Sequence, residues 1–167
     1  MQTGQLEFDN DLDMVAFWLR KDPKRWVAGW VSGFFAGAVA MVVAAVVAQI
    51  AGLDMLFPAK LFGSILLGAQ ATDTASGMGA ALVGFVLFEA ICGVFGFAFS
   101  HFVFSNRSGP LLAMGAVWGI FSWIFLWNLF LPAFKVIRFA GVTPGAALPV
   151  CMAYGLSLAS VMFFDRR

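Results

Sequence analysis

Four long apolar runs govern what this chain can become. They cover about Trp26–Ile50, Gly79–Phe104, Leu111–Ala133 and Gly145–Phe164. At 1.5 Å of rise per residue, each is long enough as a helix to cross a hydrocarbon core of roughly 30 Å. A backbone in lipid must satisfy its own hydrogen bonds, which leaves helices or a closed barrel. The runs do not alternate in polarity, and four strands are too few to close a barrel. The predicted fold is therefore all-α, an integral membrane four-helix bundle. Composition agrees: 62% of the 167 residues are hydrophobic and 11% charged, whereas soluble domains are about half apolar and about a quarter charged.

The segments outside the runs divide the chain into residues 1–25, a four-span domain over 26–164 and a short tail over 165–167. The opening MQTGQLEFDNDLD is acidic and lacks the basic-then-apolar order of a secretory leader, so the first run is expected to persist as a span. Before it, Leu12, Val15, Trp18 and Leu19 recur at helical spacing, with Asn10 or Asp11 placed to cap and Asp22-Pro23 to interrupt. This predicts a short N-terminal amphipathic helix at the interface, a partly ordered tail being the alternative. Between spans one and two, LDMLFPAKLFGSILLG is too short for a full crossing. A re-entrant or interfacial helix over about Pro58–Leu67 fits its length, with Pro58 suited to a first turn. Its role is left between a hairpin packed over the bundle and a substrate or ion gate.

Basic residues give the expected orientation. Arg20, Lys21, Lys24, Arg25, Arg107, Arg166 and Arg167 fall on the side of the termini, against Lys60, Lys135 and Arg138 on the other. That bias predicts both termini in the cytoplasm of a bacterial inner membrane. A faint internal repeat pairs MLFPAK at Met55–Lys60 with LFLPAFK at Leu129–Lys135, each followed by GAAL. Unequal intervals leave chance recurrence as the stronger explanation.

Small residues mark the packing faces. Gly29, Gly33 and Gly37 recur every fourth residue in span one, extended by Met41, Ala44 and Ala48. Gly115 and Gly119 lie on one face of span three, continued by Ser122. Such faces let helix backbones approach closely. In span two, Glu89, Gly93, Gly96 and Ser100 share one face. A carboxylate in hydrocarbon is costly and marks a functional hypothesis by default. Its placement on a packing face favours a hydrogen-bonding group between helices, held by a backbone carbonyl, water or another helix. Proton transfer, substrate coupling and ligand contact stay open. The other spans carry no Lys or Arg near their middle, so Glu89 is not expected to form an ion pair within the chain.

Two further polar positions stand out. His101, near the cytoplasmic end of span two, reads as an interfacial hydrogen-bonding histidine; haem ligation is the minor alternative, since one His supplies one axial ligand. Asn128 lies one turn before Pro132 and is placed to satisfy a backbone group that the proline displaces. Trp118, Trp123 and Trp127 suit helix packing or, for Trp127, an interfacial belt. Cys92 and Cys151 fall within spans and are not expected to pair, and no metal ligand set is visible.

The words CGVFGFAFSHFVF in span two, GAVWGIFSWIFLWNLFLP in span three and the late AYG resemble a poorly characterised family of small four-span bacterial inner-membrane proteins. The resemblance covers most of Gly79–Phe164 and implies the four-span fold, without established chemistry. The family's histidine-like position before the late YG has no counterpart here, where Met152-Ala153 precedes Tyr154-Gly155.

No phosphate loop, zincin motif, nucleophile elbow or carboxylate pair is present in the sequence, and the chain is not expected to be an enzyme. The leading expectation is a noncatalytic membrane subunit or assembly protein, partnered by membrane lipids and by copies of itself or a larger complex, with no nucleic acid. The alternatives are an oligomeric transporter or proton-coupled channel using Glu89, and a lipid- or cofactor-binding protein. No cofactor is predicted; bound lipid stays open.

Overall fold

A computed structural model of the chain describes residues 23–73, 75–103, 107–134 and 143–165. The predicted N-terminal interfacial helix lies outside these residues, as do Lys135, Arg138 and the last two arginines. Four helices are long and apolar enough to cross a membrane. We label them α1 (Pro23–Ile50), α3 (Met78–Phe102), α4 (Ser108–Phe125) and α5 (Pro144–Ser157). α4 continues through a π-helical segment, Leu126–Phe130, to Ala133, and α5 through a 3-10 turn to Phe164. The short helix α2 (Phe57–Leu67) lies between the first two spans, where the apolar but short connection places it.

Local chemistry accounts for the boundaries. α1 is described from Pro23, already helical ahead of the predicted Trp26. Span two stops at Phe102, ahead of the predicted Phe104. At the start of α2, the Asp54 carboxylate accepts from the Leu56 amide at 3.1 Å, and its carbonyl accepts from Phe57 at 2.8 Å. The helix ends at Gly68, whose amide still donates to Ser64 O at 3.0 Å while its φ of 84° turns the following chain out of the helix.

The spans associate as two glycine-faced pairs. α1 packs on α3, α4 packs on α5, and α1 also contacts α5. α3 and α4 are joined through rings instead, with Trp118 edge-on to Phe95 and Phe99 at centroid separations of 6.4 and 5.8 Å. The end carrying the start of α1 and the end of α5 is closed by Phe99, Leu111, Leu158 and Val161, all essentially inaccessible. We call this the terminal end, and the opposite one, which bears α2, the loop end.

One cross-link at the terminal end escaped the sequence reading, which had placed its residues in flanking segments. Arg25 is buried and donates Nε to Ser100 O at 2.9 Å, Nη1 to Asp165 at 3.0 Å and Nη2 to Val103 O. One guanidinium thus satisfies carbonyls left open at the end of α3 and anchors the end of α5.

Candidate functional site

The predicted packing glycines all lie inside the chain. A side chain at Gly33 would meet Cys92 O at 2.5 Å and Gly93 Cα at 3.0 Å, and one at Gly96 would meet Gly33 Cα at 2.5 Å. Gly29 faces Ser100 and Gly96, and Gly93 receives the Trp30 ring. In the other pair, Gly119 lies against Cys151 and Met152, and Gly115 against Gly155. Gly63, Gly84 and Gly155 were not singled out from the sequence. Gly63 and Gly84 seat α2 on α3, a Cβ at Gly84 running into Ala59 and Gly63. Isolated glycines give no repeat to read; only the spacing of the glycines opposite would have exposed them.

Glu89 lies at the seam of α1 and α3, over Gly37. A Cβ at Gly37 would be 2.7 Å from Glu89 Oε2 and 2.9 Å from Cys92 Cβ. Both carboxylate oxygens are shielded from solvent and lack a hydrogen-bond partner among the described residues. The expected interhelical hydrogen bond is thus not made to any described residue. The absence of side chain at Gly37 makes room for the group, and Ser100, the nearest hydroxyl on its face, donates instead to Phe97 O at 2.8 Å.

The other two polar candidates are not brought to Glu89. His101 makes no hydrogen bond among the described residues. Its ring packs near Trp26 at 6.4 Å and Phe102 at 5.4 Å. Asn128 is exposed and donates Nδ2 to Ile124 O at 2.9 Å. It serves its own helix beside the π-helical segment, at a carbonyl eight residues before Pro132 and not at the one that the proline leaves open. Trp123 donates to Pro144 O at 2.9 Å, joining α4 to the start of α5.

The loop-end half contains what the sequence did not disclose: a half-open cavity of about 280 Å³ walled by all four spans and α2. The small-residue face of α1 explains its origin. Past Gly37 that face continues as Met41, Ala44 and Ala48, and these line the cavity. Ala146, Ala147 and Val150 of α5 line it as well, so both helices present short side chains to the space. The bulky wall comes from Phe88 and Phe95 of α3 and from Phe125, Trp127 and Phe130 of α4. Leu61 of α2 and Leu131 of α4 pack together at the loop end.

Few polar groups reach this space. Tyr154 is buried and donates its hydroxyl to Cys92 O at 2.7 Å. Ser122 is 8% exposed, lines the cavity and has no partner for its hydroxyl among the described residues. Glu89 is not part of the lining. Outside the cavity, Lys60 of α2 is buried and donates to Asp54 at 2.8 Å. No group of three or more His, Cys, Asp or Glu among the described residues is placed to hold a metal ion, and Cys92 and Cys151 are free thiols. Thr143 carries the remaining hydroxyl among the lining residues, and the cavity can accommodate an apolar body.

No protein-family model, curated protein or solved structure matches the chain; the protein stands as a multi-span, all-α membrane protein with four long apolar helices.

Proposed function

We propose that this chain is a noncatalytic membrane protein that holds a membrane-soluble apolar molecule between its spans, as a lipophile-binding subunit. The observation that carries this reading is the cavity of about 280 Å³ walled by every span. An engineered apolar cavity of roughly 150 Å³ stays dry and binds benzene. A larger one, open to lipid, offers apolar contact and little hydrogen bonding, which selects a lipophile over a polar solute.

The broader subunit reading drew on small-residue faces available to partners. Here Gly29, Gly33, Gly37, Gly115 and Gly119 face other helices of the same chain, so they give no further support to self-association. The cavity replaces them as the stronger functional feature. A transport role for Glu89 gains no support from the cavity, because that residue does not line it. The positive bias of the terminal end favours placing both termini in the cytoplasm of a bacterial inner membrane.

The test is purification in mild detergent, followed by solvent extraction and mass analysis. The wild-type protein should retain a lipophile in a fixed ratio, and Ala147→Phe, which puts a ring into the space, should lose it. Equal retention by folded Ala147→Phe would overturn the reading. Mass measurement on the same sample reports whether the chain associates with itself.

A further inference from the structure

The cavity is long in one direction. Its lining runs along α1 from Ala40 to Ala48 and along α5 from Ala146 to Tyr154, eight residues of rise in each. At 1.5 Å per residue that is about 12 Å parallel to the bundle axis. Because α1 and α5 run in opposite directions, Ala40 and Tyr154 share the deep end, and Ala48 and Ala146 the loop end.

The two ends differ. At depth Ala40, Cys92, Cys151 and Tyr154 are buried, and the Tyr154 hydroxyl reaches from α5 to Cys92 O of α3 at 2.7 Å. Beyond them the contacts of Gly33 with Cys92 and of Gly119 with Cys151 bring the helices together, so the space is blind. Toward the loop end the lining finishes at Ala51, Leu53 and Thr143, all exposed. Among the described residues, no Asp, Glu, Lys, Arg or His belongs to the lining.

This shape and chemistry fit one lipid tail. An acyl chain crosses one leaflet, about 15 Å or half of a hydrocarbon core, and the cavity with its exposed rim has about that depth. A straight chain needs apolar contact along its length and no hydrogen bond. A free fatty acid would bring a carboxylate to a lining that holds no cation. An intact lipid keeps its ester and headgroup in the interface, where the exposed Thr143 is the hydroxyl-bearing residue of the rim.

We propose that the cavity takes one acyl chain of a phospholipid from the loop-end leaflet, its methyl end at Tyr154 and its headgroup outside Leu53 and Thr143. This rests on the lipophile-binding reading and adds the class of ligand, its direction of entry and its limit of length.

Equilibrium dialysis of the full chain, held in amphipol, against monoacyl phosphatidylcholines below their micelle concentrations tests this. Wild-type affinity should rise roughly three- to fourfold per methylene from hexanoyl upward. It should level off near dodecanoyl, whose extended chain is about one leaflet long. Val150 of α5 lies one turn deeper than Ala146, and Ala44 of α1 one turn deeper than Ala48. Val150→Phe and Ala44→Phe should each keep the affinity for hexanoyl and level off several methylenes sooner. They alter different walls, so the comparison survives if one fails to fold.

A rise unbroken to stearoyl, or an unchanged limit in the folded variants, overturns the blind acyl slot. Tighter binding of laurate than of dodecanoyl phosphatidylcholine overturns the intact lipid as occupant. Pyrene bound by wild type and lost in Ala147→Phe, with no rise along the acyl series, overturns the acyl chain and leaves the cavity reading standing. Binding of no probe, or binding of acyl and pyrene probes alike unaffected by folded Ala147→Phe, overturns both.

Discussion

Arg25 and Asp165 meet at 3.0 Å across 140 positions of sequence, joining the start of the first span to the end of the fourth. Both side chains are more than nine-tenths buried, so the pair differs from a surface bridge, which contributes about 0–1 kcal/mol. Removing one partner leaves the other charge buried. Asp165→Ala should therefore destabilise the bundle by about 3 kcal/mol or more, read by denaturant unfolding in micelles. Arg25→Lys should also destabilise it, since one ammonium cannot reproduce the fork that reaches Ser100 O, Val103 O and Asp165 together. A loss below about 1 kcal/mol for Asp165→Ala would place the pair in the surface class.

The glycine seam predicts opposite outcomes for two substitutions of the same kind. A methyl at Gly33 runs into Cys92 O and the Gly93 and Gly96 Cα atoms, whereas one at Gly79 meets nothing within 4 Å. Gly33→Ala should cost about 1–3 kcal/mol as α1 and α3 are forced apart. Gly79→Ala should be neutral or stabilising by up to about 1 kcal/mol, from helix propensity alone. Parallel thermal melts check the contrast, and equal shifts would mean that the seam yields to a methyl.

The start of α2 should respond to acid. The Lys60 ammonium, and after it the Leu56 amide, hold the exposed Asp54 carboxyl below its ordinary value of 3.8. Because the folded value is the lower one, folding favours the ionised form. The contribution is complete above the ordinary value and is lost as pH falls through the lowered one. Hydrogen exchange at Leu56–Lys60, corrected for intrinsic rates, should quicken only below pH 3.8. Asp54→Asn should remove that dependence; the same acid response in Asp54→Asn would assign it to another group.

What could be read from sequence follows from which interactions are periodic. Span lengths are set by the bilayer, so apolar runs located all four spans, and the short run before Gly68 located α2. The four-residue spacing of Gly29, Gly33 and Gly37 marked the α1 seam because a single helix face repeats it. The cavity has no such signature: its lining joins Ala44 and Ala48 of α1 to Ala146 and Ala147 of α5, a relation between distant segments. Arg25 and Asp165 were hidden for a related reason, since charges beside a span look solvated until the partner segment is known. The orphan hydroxyl of Ser122 depends on a hydrogen bond not made, which no spacing encodes.

Glu89 and Gly37 should behave as one unit. Gly37→Ala puts a methyl 2.7 Å from Glu89 Oε2 and 2.9 Å from Cys92 Cβ, for an overpacking cost of about 1–3 kcal/mol. Glu89→Ala removes the first obstruction and leaves the second, so the double variant should recover part of the loss. The coupling should fall at about 0.5–3 kcal/mol, the range for residues in contact. Glu89→Gln loses no hydrogen bond among the described residues and should leave stability unchanged or raise it. Strict additivity in unfolding measurements would separate the two positions. A fall in pH-driven vesicle flux for Glu89→Gln, with stability intact, would instead favour the proton-handling reading.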